Sequence, residues 1–426
     1  MFRHSVVPAI VVAIFAAACS SPPEAALAEQ AVATPTPAAT ATIAPTAAPT
    51  AETPEPATLT IWFPDTLLPA NADAVAAIVE ADVAEFSNTQ DGVTVELRRK
   101  VEGDVGGILS TLRSANGVAP GALPDITLLR RNDLVRAVED GLIQPIEGRV
   151  ASTVIADLFP AALRLGRADD QLYALPYLAD LYLFAYDAGS QPVERMTFDA
   201  VFDLDRPLVV PAASSSGIAD VLWLQYSAAG GILDPESPLT ETAVASVFSF
   251  YDRLRTEGLI VPGSVDYTSP GDYSRAIATG QIPSGVVKTS QLAQFVGSER
   301  PTAFSSIPTS TGDPVSSIDA WMWVIVTQDP EQQAIAGHFI NWMMNAEHHG
   351  TFAQALSIPP TQRNALRRWS FPGIENALLS NLMTNAFSTD QLIGTGGAAR
   401  AMQAAWIDLI TGESNAQEAV RSALQP

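Results

Sequence analysis

Apolar and polar positions alternate along Leu59-Thr60-Ile61-Trp62-Phe63, which puts Leu59, Ile61 and Phe63 on one face of a strand that Pro64-Asp65 ends. Trp62 then stands at the carboxyl end of that strand. The period lengthens to a helical one at Val75, Ile78, Val79 and Phe86 and shortens again at Val93, Val95 and Leu97. A second helix is predicted from Val105 to Ala115, followed by a Gly/Pro loop and the short apolar strand Pro124-Asp125-Ile126-Thr127-Leu128-Leu129. The next helix is predicted to start near Asn132, a good N-cap, and to stop at Gly141. Strand and helix alternating on this scale imply an α/β chain with a largely parallel, helix-covered sheet. Its ligand crevice lies outside the carboxyl ends of the strands. Trp62, Asp65, Arg130 and Arg131 all fall at that edge.

The start of the chain reads differently. Val6 to Ala18 carries nothing ionisable and is too short to span a bilayer, so residues 1–18 suit a signal peptide. Ala16-Ala17-Ala18-Cys19 resembles a bacterial lipobox, which makes Cys19 the expected lipidated first residue of the mature chain; an ordinary secretory signal is the alternative. Residues 19–57 are mostly Ala, Pro, Thr, Ser and Glu, too little apolar surface to offset ordering entropy. They read as a tether, or equally as an O-glycosylated stalk. Cys19 is the only cysteine, so no internal disulfide is available and stability must come from a large core. The remaining stretch of about 370 residues exceeds what one core usually serves, so two lobes are expected.

Charge narrows the function. With 23 Lys+Arg against 46 Asp+Glu, a net −23, neither nucleic acid nor an anionic membrane surface is an expected partner. The four histidines (His4, His338, His348, His349) form no HExxH or zinc-ligand spacing; no Walker loop or G-x-S-x-G elbow is present, and Gly394-Thr395-Gly396-Gly397 does not complete a dinucleotide fingerprint. No catalytic residue, metal or cofactor is expected. The paired carboxylates of a glycosidase stay open as an alternative, because spatial acid pairs are not legible in sequence.

Several blocks, in order, resemble the extracellular solute-binding protein family 1, the sugar-type binding proteins of ABC transporters. They begin with Leu59-Thr60-Ile61-Trp62, then Pro124 to Leu129 and Gly141 to Ile146. Gln171 to Tyr177 followed by Leu181 to Asp187 is similar to that family's first crossing between lobes, and Tyr226 to Gly231, Ala320 to Val326, Ala336 to Trp342 and Ile358 to Arg363 match later landmarks. Asp319-Ala320 stands where the family usually carries Gly-Gly. The resemblance implies a two-lobed periplasmic-binding-protein type II (Venus-flytrap) fold with crossing hinge strands. It implies a first lobe of residues 58–178 and 311–350 and a second of 179–310 and 351–426. It also implies a monomer that captures a small solute, expected to be a sugar, and delivers it to an ABC permease, with the membrane touched only through the lipid anchor. A ligand sensor for a membrane receptor is the other non-enzyme reading.

A sugar presents hydroxyls and apolar C–H faces, so its site needs aromatic platforms and fixed polar groups. Trp62 and Trp321 are the stacking candidates, with Tyr177 and Trp223 behind them. As platforms supporting little core, Trp62 and Trp321 are expected to be replaceable without loss of the fold. Asp65, Asn132 and Asp180 are candidates for the hydroxyls, N-cap duty being the competing role for Asn132. Arg130-Arg131 stands just before a helix start, where guanidinium and helix dipole together favour an anion. Lys288-Thr289-Ser290 ends a predicted strand across the cleft, and Ser214-Ser215-Ser216-Gly217 supplies hydroxyls before a helix holding Trp223 and Tyr226.

Overall fold

The computed structural model describes residues 57–69, 72–103, 105–187, 189, 193, 195–214, 217–233, 237–388 and 396–425. The expected signal peptide, Cys19 and nearly all of the tether lie outside these residues, as do Ser215 and Ser216.

The alternation at residue 59 becomes strand β1 (Ala57–Pro64), with Leu59, Ile61 and Phe63 no more than 1% exposed. The helical period becomes α1 (Asp73–Thr89), whose buried Val75, Val79, Asp82 and Phe86 recur every three or four residues. Then follow β2 (Val93–Lys100), α2 (Ile108–Asn116), β3 (Ile126–Leu129) and α3 (Arg131–Glu139). Two starts differ from the sequence reading. Helix α2 begins three residues later than Val105, because Gly106-Gly107 makes the preceding loop and leaves Val105 exposed. Helix α3 has Arg130, not Asn132, at its N-cap, so Asn132 lies inside the first turn.

Strand β4 (Ala174–Asp187) is the spine of the molecule, every residue buried except Asp187. Downstream come the short β5 (Leu208–Val209), α4 (Asp220–Ala228), α5 (Glu241–Thr256), β6 (Ser284–Lys288), β7 (Thr302–Ser305) and β8 (Ser317–Ile325). Helices α6 (Pro330–Met343), α7 (Ala346–Leu356), α8 (Asn376–Asn385), α9 (Gly397–Thr411) and α10 (Ala416–Ala423) complete the chain. The sheet order is β2-β1-β3-β8-β4-β6-β5, with β7 also on β4.

The sheet is mixed where the sequence suggested largely parallel. Strands β2, β1 and β3 are parallel, but β8 returns from the far half of the chain and runs antiparallel to both β3 and β4. Residues 174–181 of β4 pair with β8; residues 182–187 pair with β6 and β7. One strand therefore serves both halves of the sheet. A further crossing lies along it at Ile358 to Gln362: the Ala179 N–H donates to the Pro359 carbonyl at 2.8 Å, and the Thr361 hydroxyl to the Pro176 carbonyl at 2.6 Å.

Two cores flank this spine. One gathers Phe63, Tyr177, Trp323, Phe339 and Phe352, with Phe63 and Tyr177 edge-on or tilted against Trp323 at 5.8 and 5.5 Å. The other gathers Phe184, Trp223, Tyr226, Phe248, Tyr251 and Trp406. Helix α7 packs on α1 and α8 on the short helix Pro160–Leu165, whereas α9 and α10 pack on α5. Residues 351–385, expected in the second lobe, touch both sheet halves: α7 and α8 pack as above, while the Phe304 N–H donates to the Gly373 carbonyl at 3.0 Å and Phe371 lies edge-on to Phe304 at 5.9 Å.

Candidate functional site

The carboxyl ends of β1, β2 and β3, the amino-terminal part of β8 and the middle of β4 meet at one edge. Register fixes the neighbours there: Leu129 faces Met322, and Asp319 faces Asp180. Arg130, just beyond β3, reaches into this group. Its Nη1 donates to Asp319 Oδ2 at 3.1 Å, lies 3.9 Å from Asp180 Oδ2, and its Nε is 4.0 Å from Glu102 Oε2. Burial alone would lower the guanidinium pKa, but Asp319, Asp180 and Glu102 together raise it, so Arg130 is a fixed cation. Asp319 Oδ1 accepts from its neighbour's N–H at Ala320, 2.8 Å, which locks the carboxylate in place.

Glu102 is carried by a loop that folds back on itself. A Cβ on Gly107 would come within 1.9 Å of the Gly103 carbonyl, and Gly103 has φ +107°, so only glycines permit the turn. The Thr66 hydroxyl donates to Glu102 Oε1 at 2.5 Å, tying this loop to the short 3₁₀ turn Asp65–Leu67 after β1. Asp65 begins that turn, half-buried, and among the described residues its carboxylate has no hydrogen bond.

From the second sheet half, Asp180 Oδ1 accepts from the Ser290 N–H at 3.0 Å, and its Oδ2 is 4.0 Å from Lys288 Nζ. The Thr289 side chain stitches the same segment to the spine, donating to the Ala179 carbonyl at 2.9 Å and accepting from the Leu181 N–H at 3.0 Å. Lys288 faces Tyr182 in register, with Nζ 4.6 Å above its ring, and the Tyr182 hydroxyl donates to Asp220 at 3.1 Å.

Trp62, Asp65, Arg130, Asp180, Lys288 and Trp321 are thus assembled along this edge, although not in the roles the sequence suggested. Trp62 and Trp321 are 2% and 5% exposed. Lys100 Nζ covers the Trp62 ring at 4.2 Å and the Arg130 guanidinium covers Trp321 at 4.6 Å. They are packed, cation-capped walls, which corrects the expectation that they support little core. Tyr177 is fully buried, stacked on His349 at 4.5 Å, and Trp223 is 4% exposed and stacked on Tyr226 at 5.0 Å. Both are core residues, because on so deeply buried an element aromatic character does not separate core from cleft. Arg131 also departs from expectation: its Nη1 donates to the Leu165 and Arg167 carbonyls at 2.8 and 2.6 Å, closing the end of the helix Pro160–Leu165.

Sequence reasoning did not single out Lys100 or Glu102, and read Asp319 only as a departure from a family pattern. A cavity of about 530 Å³ lies elsewhere, lined by Tyr186, Met196, Phe304, Gly373 and neighbours, and none of the candidate residues borders it. Cavity size therefore does not locate the polar group, whereas convergent charge does.

The profile of the bacterial extracellular solute-binding proteins matches residues 81–368, more than half of the chain. This chain belongs to that family. No curated protein matches it in sequence. Among solved structures, the chain is similar to the cyclic alpha-maltosyl-1,6-maltose binding protein from Arthrobacter globiformis, at 16% identity, with 87% of this chain and 97% of that chain covered and a TM-score of 0.66. An extracellular solute-binding protein family 1 member from Alicyclobacillus acidocaldarius follows at 18% identity, 87% and 97% coverage and TM-score 0.63. Maltose-bound MalE3 of T. maritima gives 14% identity, 86% and 98% coverage and TM-score 0.62. These similarities establish the two-lobed α/β fold of this extracellular solute-binding protein. Among the described residues no helix is long and apolar enough to cross a membrane.

Proposed function

We propose that this solute-binding protein captures a carbohydrate between its two lobes and passes it to an ABC permease. It acts as a monomer held at the membrane by a lipid on Cys19. The lobes are residues 58–178 with 311–350, and 179–310 with the helices after residue 396; the packing of α9 and α10 on α5 supports the second, and residues 351–385 touch both. The observation carrying the reading is the polar group at the strand ends, in which Asp180 on the shared strand has Arg130 from one side and Lys288 from the other within 4.0 Å. A ligand touching both sides gains affinity only when the lobes approach, and so shifts the open-closed equilibrium. Carboxylates with oxygens at this edge accept hydroxyl hydrogens, which is what saccharide recognition requires. The carbohydrate assignment draws on the neighbours, which are described as binding maltose and related glucans.

A thermal-shift screen of the purified chain against mono- and oligosaccharides, polyols and peptides tests the reading, since a ligand bound only by the native state raises Tm. A saccharide that raises Tm and is recovered unchanged is the expected result. Stabilisation by peptides alone, or degradation of the saccharide, would overturn it.

A further inference from the structure

Lysine is almost absent from this protein. Of its 23 basic residues only Lys100 and Lys288 are lysines, and both lie at the candidate cleft, one from each half of the sheet. Elsewhere the chain's ion pairs use arginine, as in Arg113 with Asp140 and Arg300 with Asp187. An ammonium differs from a guanidinium in being a compact charge with three freely rotating donors, suited to a single oxyanion.

Each lysine sits over an aromatic face, Trp62 or Tyr182, and among the described residues neither Nζ has a carboxylate within hydrogen-bonding distance. The nearest is Asp180, 4.0 Å from Lys288. Arg130, by contrast, is already bonded to Asp319. The three aromatic rings here are capped by cations, so stacking a neutral sugar on a bare face is not what this edge offers. It offers ammonium donors beside the carboxylates of Asp180 and Glu102.

We infer that the ligand is an acidic saccharide, its acidic groups taken by Lys288 or Lys100, which stand on strands far apart in the sheet, and its hydroxyls by Asp180 and Glu102. This deepens the carbohydrate reading and rests on it. A neutral sugar would leave Lys100 without an anionic partner and Lys288 with only its 4.0 Å contact to Asp180, and a simple inorganic anion would leave the carboxylates without hydroxyls.

The scarcity of lysine supplies the experiment. Reductive ¹³C-methylation keeps the charge and gives an NMR spectrum with two lysine signals, apart from any free α-amino group. The chain is titrated with matched pairs: glucose, glucuronate and glucose 6-phosphate; galactobiose and digalacturonate; and inorganic phosphate alone. The acidic member of a pair is expected to shift at least one lysine signal and to bind on the order of tenfold tighter than its neutral counterpart, the scale of one charge-assisted hydrogen bond. In calorimetry Lys288→Gln or Lys100→Gln is expected to remove that preference, with Lys288→Arg restoring part of it. A neutral saccharide that binds equally well and ignores both substitutions would sink the inference while leaving the carbohydrate reading intact. Lysine signals moved by inorganic phosphate, with no saccharide binding at all, would overturn both.

Discussion

His349 offers a quantitative test of how the crossing segment is held. Its ring is fully buried, Nε2 lies 2.5 Å from the Tyr177 carbonyl and Nδ1 lies 2.7 Å from Gln362 Oε1. The carbonyl can only accept, so a neutral imidazole donates through Nε2 and has no proton on Nδ1 to give Oε1; the neutral ring therefore requires the Gln362 amide turned over, with its NH₂ donating to Nδ1. Burial, outweighing these two hydrogen bonds, lowers the His349 pKa to about 4 from the ordinary 6.5. The unfolded residue thus takes a proton near pH 6.5 and the folded one only near pH 4. Stability from this group is complete above pH 6.5 and falls as pH drops through 6.5 towards 4. At about 1.36 kcal/mol per pKa unit, the loss is roughly 2 kcal/mol at pH 5 and roughly 3 kcal/mol at pH 4. Urea unfolding of the native sequence and of His349→Gln at pH 7.5 and pH 5 isolates it, because the titration of other groups is common to both proteins. The native sequence should lose about 2 kcal/mol more than the variant between those two pH values. Equal losses in the two proteins would refute both the buried neutral histidine and its hydrogen-bond roles.

Gln362→Glu places a carboxylate beside Nδ1, so the His349 pKa should rise, and an NMR titration of the ring that stays near pH 4 would contradict the assigned roles. Trp62→Ala, contrary to what a solvent-facing platform would give, should lower stability by about 3 kcal/mol or more in chemical denaturation, because the ring is 2% exposed. Arg131→Met should cost about 1–2 kcal/mol by freeing the helix-end Leu165 carbonyl and the Arg167 carbonyl beyond it, and leave ligand affinity unchanged. Arg130→Met should reduce affinity by on the order of tenfold in calorimetry.

How far the sequence disclosed this molecule depended on the kind of signal. The alternation of Leu59, Ile61 and Phe63 and the helical spacing of Val75, Val79 and Phe86 predicted β1 and α1, because each element has one buried face and the other at least partly solvated. Strand β4 is buried on both faces, so its polarity does not alternate, and Tyr177 in the core looks the same in sequence as Asp180 at the cleft. Direction is equally hidden: nothing in Ser317 to Ile325 says that it runs against β3. Arg130 and Arg131 are adjacent, yet one is an N-cap facing Asp319 and the other a helix residue facing backbone carbonyls. Only the course of the backbone separates those roles. Glu102 and Asp319 meet Arg130 from segments more than two hundred residues apart, but Lys100 was within reach of composition alone, as one of two lysines.

Because β4 is a single strand whose first half faces one core and whose second half alternates between the two, with Leu183 and Ala185 in the first and Tyr182, Phe184 and Tyr186 in the second, neither core can melt without stripping hydrogen bonds from a strand the other still needs. Two lobes joined through this strand are, for denaturation, one cooperative unit. Thermodynamic interdependence is written into the same fourteen residues. The lobe approach proposed above would require torsion of a continuous sheet, with no slack connector to bend.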